Sequence, residues 1–452
     1  MSRIVILGGG TAGTIMANRL RRVYAREIEG DRMHIVVVDE DDDHLYQPGL
    51  LFLPFGESSP RALLRRRRPL LRRGVEYRRA SVASLSLTDS AVKLTDGSTL
   101  RYDALIIATG AQIIPSETEG LTGPGWGEKT HEFYTLAGSM RLRNALSRFK
   151  GGRVVIDIVE MPIKCPVAPL EFAFLADAYF TRRGIRDRVS LTYVTPLDSA
   201  FTKATCARYL GGMLSEKGIE LVTQFNAGRV DGEHGVLQSW DEREVPFDLL
   251  VTVPLHMGAE FVGQTPELGD DMRFVRTDPH TLQSLASPNV FAIGDATNLP
   301  ASKAGSVAHF EAEVLTENVR RFLAGQPLEA GFDGHANCFI ESGFDKALLI
   351  DFNYDVEPLP GRFPFAIGPL KLLEESRLNH LGKLAFRWVY WHVLLPGRDI
   401  PFVGARMSMR GKHLVAPPPP PAPPTSPTPP AAPPSSATHQ PADEQIPAGS
   451  QL

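Results

Sequence analysis

Cysteine is scarce in this chain. Three cysteines in 452 residues cannot build a structural disulfide framework, so any disulfide here belongs to chemistry rather than to stapling. No apolar run approaches the roughly 20 residues that a bilayer-spanning helix needs. The first strand begins almost at Met1, with no apolar signal segment ahead of it, so no export signal is expected. The formal net charge is only −4, which gives no indication of nucleic-acid binding. A further absence is local. The segment Met161-Pro162-Ile163-Lys164-Cys165-Pro166-Val167-Ala168-Pro169 holds three prolines and no glycine. It lies between a buried strand, Gly152 to Ile158, and a helical run, Leu170 to Arg183. A nicotinamide dinucleotide site would need G-x-G-x-x-G at that turn, so that backbone can approach a pyrophosphate at the helix N-terminus. A phosphate cradle is exchanged for a positioned thiol.

What is present begins with an intact fingerprint. Ile4-Val5-Ile6-Leu7 is an apolar strand, Gly8-Gly9-Gly10-Thr11-Ala12-Gly13 supplies G-x-G-x-x-G, and Thr14 to Arg26 continues as a helix. Gly8 makes the tight turn, Gly10 lets backbone meet a pyrophosphate, and Gly13 allows close helix–strand packing. A second strand, His34 to Val38, ends in Asp39, a partner for a ribose hydroxyl. It lies somewhat farther along than the usual spacing of about 20 residues. Two later strands end in small-residue turns, Ala108-Thr109-Gly110 and Gly294-Asp295-Ala296. Both patterns resemble the ATG and GD motifs of flavoproteins with two dinucleotide domains.

The fold class expected is α/β, with two Rossmann-like dinucleotide-binding domains, the first of them discontinuous. At 43 % hydrophobic and 22 % charged residues, the chain can bury two or three cores. The boundaries expected are 1–112 and 285–330 for the first domain, 113–284 for the second, which carries Cys165, and 331–415 for a C-terminal region with Cys338. Residues 416–452, rich in Pro, Ala, Ser and Thr, are expected to be a disordered tail. In the C-terminal region, Leu378 to Leu395 reads as a helix. Leu381, Leu384, Trp388, Trp391 and Leu395 fall on one face, and His380, Lys383 and Arg387 on the other. That pattern suits a helix lying in a membrane interface. Packing of the same stripe against the first domain is the competing expectation. The run Arg65-Arg66-Arg67-Arg68, with Arg72, Arg73, Arg78 and Arg79, is either a solvated helix face or a contact for anionic headgroups.

A more specific resemblance rests on Tyr46-Gln47-Pro48-Gly49-Leu50, Arg68-Pro69-Leu70-Leu71, Lys164-Cys165-Pro166 and the run Gly294 to Gly305. Gly334 to Glu341, which includes Cys338, and Leu349 to Tyr354 complete it. These segments, spread over roughly residues 1 to 400, resemble the sulfide:quinone oxidoreductases. That is a flavoprotein family related to flavocytochrome c sulfide dehydrogenase and type II NADH dehydrogenases.

The resemblance implies FAD held by Gly8, Gly10, Thr11, Ala12, Gly13, Asp39, Gln47, Ala108, Thr109, Gly110, Gly294, Asp295, Lys303 and Ala304. It implies catalysis by Cys165 and Cys338, with Glu171 as a proton relay and Lys303 near the flavin ring. It further implies that these cysteines form a disulfide or sulfur-bridged redox centre next to the flavin: hydrosulfide attacks one sulfur to give a persulfide, and the other cysteine leaves as a thiolate that passes two electrons to FAD. Lys164 would favour that thiolate. The resemblance assigns flavin contact to Cys165 and the persulfide to Cys338. Glu171 reads equally well as a solvated first-turn acid.

Residues 111 to 164 lack the third cysteine that many members carry, so non-covalent FAD is expected. Cys206 reads as a small core or surface residue, and His131 and His309 are given no role. No metal site is expected. The partners implied are sulfide, membrane quinone and the membrane surface, without nucleic acid; a homo-oligomer is left open. The location implied is peripheral, on the cytoplasmic face of an inner membrane. Two other enzyme readings are an NAD(P)H:quinone or disulfide reductase of the same fold, which the missing second fingerprint opposes, and a flavocytochrome-type subunit, which the missing export signal opposes. A non-catalytic flavin scaffold is opposed by the intact cysteines.

Overall fold

The N-terminal apolar strand β1 (Ser2–Leu7) is followed at once by helix α1 (Thr11–Val23), and then by β2 (Met33–Asp39), β3 (Val75–Arg79) and β4 (Ala104–Ile107). Near-continuous apolar residues in β1, β2 and β4 suit strands covered on both faces. Joined by a strand from much later in the chain, β10 (Val290–Ala292), they make a parallel five-stranded sheet, ordered β10-β4-β1-β2-β3. The computed structural model describes residues 1–414; the Pro-rich segment 416–452 lies outside the described residues. The long interval between Gly13 and Asp39 is explained by a short extra helix, Ala25–Glu29, inserted after α1.

The second sheet is built from β5 (Thr130–His131), β6 (Gly152–Ile158), β7 (Val189–Val194), β8 (Ile219–Val222) and β9 (Leu249–Val253), with helices α2 (Leu136–Arg148) and α3 (Ala168–Arg182). All its strands are parallel, in the order β5-β9-β6-β7-β8. The chain leaves the first sheet and returns to it through two paired segments, Gln112–Ile113 running antiparallel to His256–Met257. The return therefore precedes the expected boundary at 284. Phe261, Val262, Leu268 and Val275 already pack with Val5, Leu7 and Leu105 in the core of the first sheet. This stretch is irregular, so no periodicity marks it.

Strand β10 then completes the first sheet and leads into α4 (Gly305–Leu323). The C-terminal region is an antiparallel hairpin, β11 (Ala336–Gly343) and β12 (Lys346–Phe352), extended by two short strands and followed by helix α5 (Arg377–Val389). Strand β11 lies along α3 and α5, which carries Cys338 to the junction of both domains. One apolar cluster runs from Ile4 and Ile15 through Phe172 to Tyr390 and Leu395, so this region shares the main core.

Helix α5 and the turn after it divide the expected apolar stripe between solvent and core. Leu378, Leu381, Leu384 and Trp388 are exposed, the last at 61 %, while His380 and Lys383 point inward to buried carboxylates. Of the expected apolar stripe, Trp391 and Leu395 are buried. The helix passes into a π-helical turn, Tyr390–Leu394, closed by Leu395 N–H donating to the Tyr390 carbonyl at 3.0 Å. One extra residue in the turn rotates the succeeding side chains off the 3.6-residue phase, which delivers Tyr390, Trp391, Leu394 and Leu395 to the core. The Asn18 side chain donates to the Leu395 carbonyl at 2.7 Å, and Arg19 pairs with Asp399 at 2.7 Å.

Candidate active site

Three helix N-termini meet at one cavity of about 460 Å³. Helix α1 enters it with Gly10, Thr11 and Ala12, α4 with Ala304 and Gly305, and α3 with Val167 and Ala168; none has a side-chain cap. Aligned peptide dipoles at all three make the cavity favourable to anions, although at α3 the Ala168 N–H is taken by the Cys165 carbonyl at 2.8 Å and Pro169 has none. The glycine fingerprint explains how backbone comes this close. A Cβ on Gly8 would lie 2.4 Å from the Ala108 carbonyl oxygen, and one on Gly13 would lie 1.8 Å from that of Gly8, whereas a Cβ on Gly10 would meet nothing within 4 Å. Gly8 and Gly13 are thus fixed by packing, and the space above Gly10 is open.

Those features fit FAD. Every residue that the sequence reading assigned to the cofactor, apart from Gly13 behind the cradle, lines the cavity, Gln47 at an exposed position of its rim. The Thr109 hydroxyl is buried there without a protein partner. Asp39 accepts the Gly9 amide at 2.6 Å and pairs with Arg67 at 3.1 Å, so it fixes the glycine loop. Arg67, with its side chain buried, also donates to the carbonyls of Asp41 at 2.8 Å and Asp43 at 2.7 Å. The arginine run is therefore not one solvated helix face. It crosses a short strand and a 3-10 turn, with Arg65, Arg66 and Arg68 outside and Arg67 within. Tyr390 from the π turn shares its hydroxyl with Thr11 Oγ1 at 2.7 Å and His44 Nε2 at 2.6 Å. Burial pushes His44 down to about 3, so its ring is neutral. Glu311 on α4 accepts the Gly294 amide at 2.6 Å, and Lys303 donates to the carbonyls of Asp295 at 3.0 Å and Thr297 at 2.6 Å. Both fix the turn that presents Asp295.

The other end of the cavity is lined by Cys165, Glu171, Cys338, Phe339, Lys383 and Phe386. The Pro-rich turn between β6 and α3 holds Cys165 at φ +48°. It is stitched to the first domain by the Cys165 amide, which donates to the Lys303 carbonyl at 2.7 Å. The turn that would bind a second dinucleotide is thereby pressed against the FAD cradle. Cys165 and Cys338 are free thiols, open to the cavity and close enough to act on one another electrostatically. Burial pushes Cys338 up to about 12 and raises Cys165 as well; Glu171 adds to both shifts and Lys383 opposes them.

The cation facing the thiols is therefore Lys383, not the adjacent Lys164, which faces Asp295 and Glu132 instead. Glu171 is not a solvated acid. It is buried, forms an ion pair with Lys383 and accepts the Glu341 amide at 2.7 Å. Cys206 is buried in the core. Sequence reasoning missed Lys383 as a site residue because the same helical stripe fits either orientation. It also missed Tyr390 and His44, for which only the aromatic density near the C-terminus offered a signal.

Two parallel-stranded sheets joined by a return crossover thus place a glycine cradle and two cysteines at opposite ends of one cavity. The family model described as pyridine nucleotide-disulphide oxidoreductase matches residues 2–156. The resemblance read from the motifs extends along most of the chain. It is 26 % identical over 400 residues to the mitochondrial sulfide:quinone oxidoreductase of Mus musculus, covering 87 % of this chain and 86 % of that one. It is 28 % identical over 407 residues to that of Dictyostelium discoideum, covering 88 % and 87 %. The fold matches the solved sulfide:quinone oxidoreductase of Aquifex aeolicus with a TM-score of 0.73 at 18 % identity, over 88 % of this chain and 92 % of that chain.

Proposed function

We propose that this protein is an FAD-dependent sulfide:quinone oxidoreductase acting through Cys165 and Cys338. The observation that carries the reading is the joining of two cysteines, an opposed Lys383–Glu171 pair and an FAD-shaped cradle in one cavity. Bound FAD supplies the two-electron relay between sulfur and quinone. In the oxidised enzyme the two cysteines form a disulfide. Hydrosulfide attacks Cys338, a new sulfur–sulfur bond forms there, and the bond to Cys165 breaks to release its thiolate. Lys383 and the N-terminus of α3 stabilise that thiolate. Glu171 takes the persulfide proton. The absence of a third cysteine between residues 111 and 164 supports FAD held without a covalent bond.

Quinone enters where Phe339 and Phe386 line the cavity beneath α5. The exposed apolar face Leu378, Leu381, Leu384 and Trp388 lies in the membrane interface, flanked by the exposed Arg65 and Arg387. Arg65 stacks on Trp391 at 4.2 Å. Among the described residues no helix is long and apolar enough to cross a membrane, and peripheral attachment through one amphipathic face agrees with that.

The test is an anaerobic titration of the purified yellow protein. Sulfide should bleach the flavin bands within mixing, and NADH and NADPH should be poor donors. Rapid reduction by NADH with indifference to sulfide would overturn the assignment.

A further inference from the structure

Sulfide oxidation by quinone consumes one proton from water per turnover: HS⁻ + H⁺ + quinone gives sulfane sulfur and quinol. Hydrosulfide gives up two electrons and its own proton, and quinone takes two electrons and two protons. Yet Glu171, the carboxylate beside the thiols, is shut away from solvent, and the helix above it presents an apolar face. Some route must join this site to water.

A ladder of alternating charge leads outward from the cysteines. Glu171 pairs with Lys383, which also feels Glu341 on β11. The Glu341 carboxylate accepts from His380 Nδ1, its two oxygens at 2.9 and 3.1 Å. Beyond His380 stands Glu57, within Coulombic reach of both His380 and Glu341 and paired with the surface residue Arg182 at 2.8 Å. Side-chain exposure is 1 % at Glu171, 12 % at Lys383 and 1 % at Glu341, and then increases outward to 15 % at His380 and 36 % at Glu57.

We propose, on the sulfide:quinone reading, that Glu341 and His380 form the branch that passes protons between the aqueous surface at Glu57 and the Glu171–Lys383 pair. An imidazole that donates from Nδ1 to Glu341 can take up a proton at Nε2, so alternation of its tautomers moves one proton per cycle. The charged groups facing His380 are Glu341 from β11, Glu57 from the loop after the 3-10 turn Gln47–Phe52, and Lys383 on its own helix; Asp345 acts on Glu57 from the hairpin turn. Burial lifts the Glu171 and Glu57 carboxyls above the ordinary range, which brings both ends of the ladder closer to exchange near neutrality. Neither His380 nor Glu341 touches the sulfur, so both are positioning and relay groups.

The experiment uses the full chain with FAD bound and measures sulfide-dependent reduction of a short-chain quinone from pH 6 to 9. His380→Ala should lower turnover roughly ten- to a hundredfold, with the larger loss at high pH. Added imidazole should restore a substantial part. Glu341→Gln keeps the shape and the hydrogen bond to His380 but cannot relay, and it should fall similarly without imidazole rescue. In both variants sulfide should still bleach the flavin to full amplitude.

A purely structural role for His380 predicts a loss that imidazole does not repair, or an unchanged pH profile, together with near-normal Glu341→Gln. Either result would overturn the branch. If the wild-type protein itself is not bleached by sulfide, the parent reading fails instead. A wild type that reduces quinone with sulfide beside variants of equal rate refutes the branch alone.

Discussion

Lys383, next in sequence to the exposed Leu384 of the C-terminal helix but turned inward, forms an ion pair with Glu171 in the first turn of α3, 212 residues earlier. Both charges face the cysteine pair. The two side chains are almost wholly buried, so their mutual attraction and the Glu341 amide must offset the loss of two hydration shells. Such a pair is weak evidence of stabilisation, and its value lies in placing one cation against two thiols.

Removing one partner should show this. Lys383→Met leaves Glu171 buried and uncompensated, which costs about 3–5 kcal/mol and should lower the melting temperature. Lys383→Met combined with Glu171→Gln should recover much of that stability. Neither variant regains the cation, so in both the thiols lose their opposing charge. In the single Lys383→Met variant iodoacetamide should then alkylate reduced Cys165 and Cys338 more slowly at a given pH than in the wild type, whereas in the double variant the loss of Glu171, which raises both thiols, offsets the loss of the cation. Unchanged alkylation in Lys383→Met would remove the lysine from thiol activation.

Cys165→Ser and Cys338→Ser should each abolish sulfide-dependent quinone reduction and keep FAD bound, since neither thiol belongs to the glycine cradle. Cys206→Ser should stay active, at a stability cost of about 1–2 kcal/mol for a hydroxyl in an apolar site. The check is turnover beside the flavin-to-protein absorbance ratio. Full activity in either of the first two variants would break the mechanism.

The cradle makes a separable pair of variants. Gly10→Leu puts a side chain into open space, so the protein should fold with a normal circular dichroism spectrum and purify colourless. Gly13→Val would drive Cβ into the Gly8 carbonyl and should cost fold and cofactor together. A yellow Gly10→Leu protein would show that the pyrophosphate lies elsewhere. Acid denaturation of the wild type should release all its flavin.

Much of this cradle is legible in the sequence, because G-x-G-x-x-G acts through contacts among neighbours in the chain. The Cys165 turn is legible for the same reason: strand, turn and helix are contiguous. The Lys383–Glu171 pair is not, since nothing local marks two residues so far apart as partners. Amphipathic periodicity located helix α5 but gave no sign of which stripe faces the core. The π turn at Tyr390 shifts the phase that periodicity assumes, so Trp391 and Leu395 enter the core while Leu381, Leu384 and Trp388 stay outside it. Arg67 shows the same limit, since a run of four arginines gives no hint that one of them is buried on Asp39.

The buried carboxyl of Glu311 gives a pH prediction. Burial raises it from the ordinary range to about 7, against the help of the Gly294 amide. A folded value above the unfolded one means stability present in full below about 4.5 and lost as the pH rises through 7. The difference corresponds to at most about 3 kcal/mol. Glu311→Gln keeps an acceptor for the Gly294 amide and removes the titration. The wild type should lose melting temperature between pH 5 and 8 relative to Glu311→Gln, and parallel curves would show that Glu311 does not titrate in this window.

The last prediction separates the two halves of the C-terminal helix. Leu381→Glu with Trp388→Glu should leave the core intact, because both side chains are exposed. The variant should move from the membrane fraction to the soluble one and lose turnover with long-tailed quinones more than with a short, water-soluble analogue. Truncation before Leu378 should do something different. It removes Tyr390, Trp391, Leu394 and Leu395 from the core, the Tyr390 hydroxyl from Thr11 and His44, and the Leu395 carbonyl from Asn18. That protein should unfold or lose FAD, so its release from membranes would say nothing about attachment. Deleting 416–452 alone should leave membrane binding and turnover as they were, since that segment offers no apolar face to insert. Retention of the double glutamate variant on vesicles would place the attachment surface elsewhere, and release by the tail deletion alone would place it in the Pro-rich segment.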